Sequence, residues 1–141
     1  MDRATGMTRE DLERFLAEDF PQVAGDFAIE AMGWREMTVR LKSAERHLRP
    51  GGTVSGPALF ALADVAFYLA ILAEIGPKAL AVTTNCAIDF MRKPAAGRHV
   101  IAKARILKLG RQLAVGDVLL HSNGKEEPVA RASLTYSLPP K

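Results

Sequence analysis

Asp64 is the only charged residue between Pro57 and Ala73, in a run built almost entirely from Ala, Leu, Phe, Val and Ile. A carboxylate in such surroundings must be neutralised, hydrogen-bonded or chemically employed, because an unsupported buried charge is expensive. Carboxylates in apolar sites act as general bases toward water or attack an electrophile directly. Just upstream stand Ser55, Gly56 and Pro57. Ser suits a helix N-cap and Pro suits the first helical turn, where its missing N–H has no intrahelical partner. The Gly56 N–H would then lie at the positive end of the helix dipole, where it could polarise a carbonyl and hold a developing oxyanion.

Further polar residues flank this segment. Thr83 and Asn85 lie in a strand-like stretch, two residues apart and therefore expected on one face, with Asp89 on the same face. Arg49 sits in a glycine-rich loop and is a candidate for a carboxylate or phosphate of the substrate. Lys108 and Arg111 flank Gly110, and together with Arg92 and Lys93 they are candidates for phosphate contacts. Cys86 alternates with Thr84 and Ile88 and reads as a core thiol without an adjacent base. His47, His99 and His121 have neither metal-ligand spacing nor triad spacing, so no metal is expected.

These residues need a frame. Thr8 to Ala17 reads as a short amphipathic helix, with Thr8 as cap, Asp11 reaching back to it, and Pro21 ending the segment. Phe27 to Lys42 reads as two strands joined near Gly33 and Trp34. A loop over 46–56 follows, rich in Gly and Pro. Pro57 to Glu74 is then a helix apolar on nearly every side, stopped by Gly76-Pro77, and such a helix must be surrounded by protein. Four strands come next, over Leu80–Met91, His99–Lys108, Arg111–His121 and Pro128–Ser137, with Asn123-Gly124 as a hairpin turn. Connections this short require an antiparallel sheet. An α+β arrangement satisfies both parts: a curled sheet of about six strands wrapped around one long apolar helix, the hotdog fold. A single sheet around one helix leaves edges exposed, which dimerisation would cover.

The 141 residues amount to one domain, with 1–20 as a helical extension. Net charge is +3 and no basic stripe is present, which argues against a nucleic-acid partner. The N-terminal segment is charged and lacks a signal-peptide core, and the one apolar run carries Asp64, so neither secretion nor membrane insertion is expected. With a single cysteine, no internal disulfide can form, which fits the cytoplasm.

The stretch from Ser55 to Asp64 resembles the PaaI-type hotdog acyl-CoA thioesterases, whose pattern is His-Gly-Gly followed by a helix reaching Leu-Ala-Asp. Thr83 to Pro94, with Ala87 to Arg92 within it, resembles that family's next strand, Gly97 its inter-strand glycine, and Gly110-Arg111 the pair that opens a later strand. Where the family has His this chain has Ser55, where it has a second Gly there is Pro57, and Arg49 stands at a position often Asn. The resemblance implies hydrolysis of acyl-CoA by a homodimer or dimer of dimers, with no cofactor beyond the CoA of the substrate. It assigns Asp64 as base or nucleophile, Gly56 as oxyanion donor, and Thr83 as a hydroxyl near the site. Arg49, Ser55, Asn85, Lys108 and Arg111 become substrate contacts. A non-catalytic acyl-CoA binding protein is the alternative. A dehydratase would need a His–carboxylate pair by the helix, and His47 lies well before it.

Overall fold

A computed structural model describes residues 6–77 and 81–139. Two short helices lead the chain, α1 (Arg9–Asp19) and α2 (Pro21–Ala24). The strands β1 (Phe27–Gly33) and β2 (Glu36–Leu41) form a hairpin, and α3 (Gly56–Ile75) follows. The chain then runs through β3 (Val82–Phe90), β4 (Val100–Leu109), β5 (Leu113–Ser122) and β6 (Pro128–Ser137). All six strands join one antiparallel sheet in the order β1-β2-β4-β5-β6-β3. The sheet wraps α3, which is the hotdog arrangement.

The local signals account for most boundaries. Thr8 accepts from the Asp11 N–H while the Asp11 carboxylate accepts from the Thr8 N–H, a reciprocal cap that starts α1. As expected, α1 stops just short of Pro21. That proline opens α2, because its fixed φ suits a first helical turn. Gly124 takes a positive φ of 83° in the β5–β6 turn, as the Asn-Gly pair demands. Leu80, the expected start of β3, lies outside the described residues, and the strand is seen from Val82.

Among the described residues α3 is long and apolar enough to cross a membrane, yet 72% of its apolar window is buried inside the sheet. Leu59, Leu62, Phe67, Leu69, Ile71 and Leu72 are essentially inaccessible to solvent. Burying each side chain of that size contributes about 1.5–3 kcal/mol, which is why a helix without a polar face is stable here. The preceding loop is tied down by His47. Its Nδ1 accepts from the Ala44 N–H, its Nε2 approaches Asp26, and its backbone carbonyl accepts from the Ser55 N–H. Burial, then the nearby Arg46 charge, lowers the His47 pKa, so the ring is neutral and serves to fix the loop that enters α3.

Candidate active site

The N-terminus of α3 is built for an exposed donor. Ser55 caps the helix, its Oγ accepting from the Ala58 N–H at 3.2 Å, and its carbonyl accepts from the Leu59 N–H. Pro57 has no N–H. Among the first-turn groups, the Gly56 N–H is the one to which no described residue offers an acceptor. The Phe90 ring lies against this glycine, and a Cβ on Gly56 would meet Phe90 Cζ at 3.3 Å.

Asp64 lies more than two turns further along. Thr83 Oγ1 donates to its Oδ1 at 2.6 Å, and the Tyr136 hydroxyl donates to the same oxygen at 2.7 Å. No hydrogen bond from a described residue falls on Oδ2. The carboxylate is therefore held by one oxygen, and the other accepts from no described residue. Burial, reinforced by the Asp64 charge, pushes the Tyr136 phenol far above its ordinary range, so it remains a proton donor. Its ring is locked between Phe67, with centroids 5.6 Å apart, and Tyr68, stacked at 6.0 Å. Burial and then the Asp64 charge also raise the Cys86 thiol, which rules it out as an activated nucleophile.

Tyr136 was not among the residues singled out from sequence. It is separated from Asp64 by 72 positions, and only the pairing of β3 with β6 brings Thr83 opposite it. Replacing Tyr136 by Phe keeps the ring and removes one donor. Turnover is expected to fall about tenfold, with a shift of no more than a few degrees in unfolding temperature. Steady-state rates with a thermal melt would check this.

Asn85 does not share a face with Thr83. The register shifts between the two, so Thr83 pairs with Tyr136 on the inner face and Asn85 with Thr135 on the outer one. Thr84 is the extra residue, and its hydroxyl donates to the Thr135 carbonyl. Asp89 is likewise outside, paired with Arg131 at 2.9 Å. Arg49 sits on the loop closed by the Leu48–Val54 bridge, with an exposed side chain that does not line the groove beside Asp64. Lys108 and Arg111 are exposed at the sheet end where Leu109, Ala114, Tyr136 and Thr83 form one cross-strand row. Three strand spacings separate them from Thr83, about 14 Å. Arg92 instead bonds the Pro128 carbonyl and lies near Glu127.

Beside Asp64 opens a groove of about 380 Å³, with Thr83 and Tyr136 on one side and residues of α1 and the α1–α2 junction on the other. A carboxylate held by one oxygen, an open helix N-terminus and an adjoining apolar groove are parts that acyl transfer to water can use.

The sequence signature of the thioesterase superfamily matches residues 51–129. A curated esterase candidate of Pseudomonas aeruginosa is 31% identical over 125 residues, covering 89% of this chain and 92% of its own. A solved thioesterase candidate of Silicibacter is 56% identical, with a TM-score of 0.90 over 99% of this chain and 96% of that one. The phenylacetic acid degradation protein PaaI of Thermus thermophilus, solved as a mutant, is 33% identical, with a TM-score of 0.71 over 83% of this chain and 97% of that one. The chain belongs to the thioesterase superfamily, in its PaaI-type hotdog branch. Its chemistry is that of a thioester hydrolase.

Proposed function

We propose that the protein hydrolyses acyl-CoA to a free acid and CoA, with Asp64 as the reacting carboxylate. The observation that carries this reading is the anchoring of Asp64 Oδ1 by Thr83 and Tyr136 on the wall of a largely apolar groove. Oδ2 takes a proton from water as water adds to the thioester carbonyl, or attacks that carbonyl itself. The Gly56 N–H holds the oxyanion, and the CoA thiolate leaves. Lys108, Arg111 and Arg49 supply the positive charge that meets the CoA phosphates.

Gly56 and Asp64 are eight residues apart on one straight helix, a rise of about 12 Å. One copy of the chain therefore cannot bring both to a single carbonyl. Two copies related by a twofold axis can, Gly56 of one serving Asp64 of the other. An uncovered edge favours such a dimer: β3 ends the sheet with Val82 (54%) and Phe90 (55%) strongly exposed on it, and Phe60 (40%) is exposed on α3. Two inactive variants should therefore complement each other. Hybrids of Asp64→Asn with Gly56→Pro hold one intact site, so a statistical mixture should recover about a quarter of the native rate. Mixing that restores nothing, with the hybrids confirmed by mass spectrometry, would refute the shared site.

The test of the activity is release of free thiol from short, medium, long and phenylacyl CoA thioesters. Sustained turnover of any of them supports the reading. Tight binding of an acyl-CoA with no release would replace it by a non-catalytic acyl-CoA binding protein, with Pro57 as one donor already lost from the helix end.

A further inference from the structure

The groove beside Asp64 is closed on one side by the N-terminal segment. Phe15 and Asp19 come from α1 and Phe20 from the α1–α2 junction, and Tyr68 of α3 and Val82 of β3 also line the groove. Phe15 and Tyr68 pack with their rings tilted by 58° and centroids 6.0 Å apart, so together they form an aromatic part of the lining. The charges on the lining are Asp64 and Asp19, both negative, and no described Lys or Arg lines the groove. Asp19 is exposed, at the solvent side. Burial, and then the negative charge of Asp19, raises the Tyr68 phenol on the same lining. Apolar walls screen poorly, so a rim carboxylate acts on whatever occupies such a groove.

We propose that this groove is the acyl subsite and that Asp19 restricts it to acyl groups carrying no negative charge at their far end; the proposal rests on the reading of Asp64 as the residue that meets the thioester. With the thioester carbonyl at Asp64, the hydrocarbon or ring of the acyl group runs toward Phe15 and Phe20 and is dehydrated there. A terminal carboxylate on the same chain would give up hydration without gaining a cation and would face Asp19.

The test uses the full chain and S-alkyl-CoA thioethers, which cannot be hydrolysed. Chains from butyl to decyl are compared, each with its ω-carboxylated counterpart, by titration calorimetry on the native protein, Asp19→Asn and Asp19→Lys. The native protein should prefer the neutral ligand by roughly tenfold at low salt, and the preference should shrink as salt rises. Asp19→Asn should narrow the ratio about fivefold, and Asp19→Lys should erase or reverse it. An equal ratio in all three proteins, or native binding of carboxylated ligands as tight as neutral ones, overturns the proposal. Thiol release from octanoyl-CoA is scored separately. A working filter without release removes the hydrolase reading and leaves an acyl-binding groove, whereas release with an unchanged ratio does the reverse.

Discussion

Asp64→Asn should lower turnover about a thousandfold, equivalent to about 4 kcal/mol of transition-state stabilisation, while the protein stays folded. The amide matches the carboxylate in shape, and its oxygen still accepts from Thr83 and Tyr136, whose donors lie at 2.6 and 2.7 Å. Those two bonds dictate which way the amide turns, because its NH2 cannot accept from either hydroxyl. The nitrogen therefore takes the place of Oδ2. A group that had a lone pair for a proton or a carbonyl carbon now has two N–H bonds and no basicity. Packing around α3 is untouched, so the melting temperature should hardly move. KM should also change little, since the acyl and CoA contacts remain. Saturating thiol-release kinetics on the purified variant, with size-exclusion chromatography to confirm assembly, would measure this. An Asn variant within tenfold of the native rate would remove Asp64 from the chemistry.

The second large effect concerns stability. Gly116 lies mid-strand in β5, opposite Ile106 of β4 and Leu134 of β6, under α3. A Cβ there would come within 2.1 Å of the Arg105 carbonyl and 2.4 Å of Phe67 Cε1. The first contact is with backbone, so relief requires parting β4 from β5. The second is with a ring that is wholly buried and already packed on Tyr136, so that ring has nowhere to turn. Gly116→Ala should cost about 3 kcal/mol and lower the melting temperature by on the order of 10 °C. It should also reduce activity beyond the loss of folded protein, because Phe67 supports the Tyr136 that holds Asp64. Circular dichroism melts would check the first effect. A shift of a degree or two would mean that the sheet yields far more readily than its packing implies.

Much of this protein could be read from its sequence because the signals were local. An apolar run with one carboxylate announced both the core helix and the carboxylate that Thr83 and Tyr136 hold. Thr8 with Asp11, Ser55 before Pro57, and Asn123-Gly124 each named an element end by a rule spanning a few residues. The unread parts depend on register and long-range packing. Tyr136 looks like any strand aromatic until β6 is laid beside β3. Asn85 was placed on the wrong face because a single bulge residue, Thr84, reverses the alternation, and nothing in Thr-Thr-Asn marks a bulge. Phe15, Asp19 and Phe20 read as an ordinary amphipathic helix and its end, yet the way α1 lies across α3 makes them a groove wall. Gly116 did carry a signal, since a glycine inside a strand marks a close approach, but only the packed structure says of what.

The position of β6 also governs when the site can come into being. Among the described strands β3 pairs only with β6, and β6 is synthesised after the other five. A nascent chain that has already made α3 and β3 holds Asp64 and Thr83 but has no template against which β3 can pair. The segment must wait, apolar and unmatched, while β4 and β5 are synthesised and zipped onto β2. Folding of this half of the sheet is therefore a closing step with long sequence separation, slow by the logic of contact order and open to capture by another exposed edge in the interval. Tyr136 meets Asp64 and Thr83 once β6 is in place.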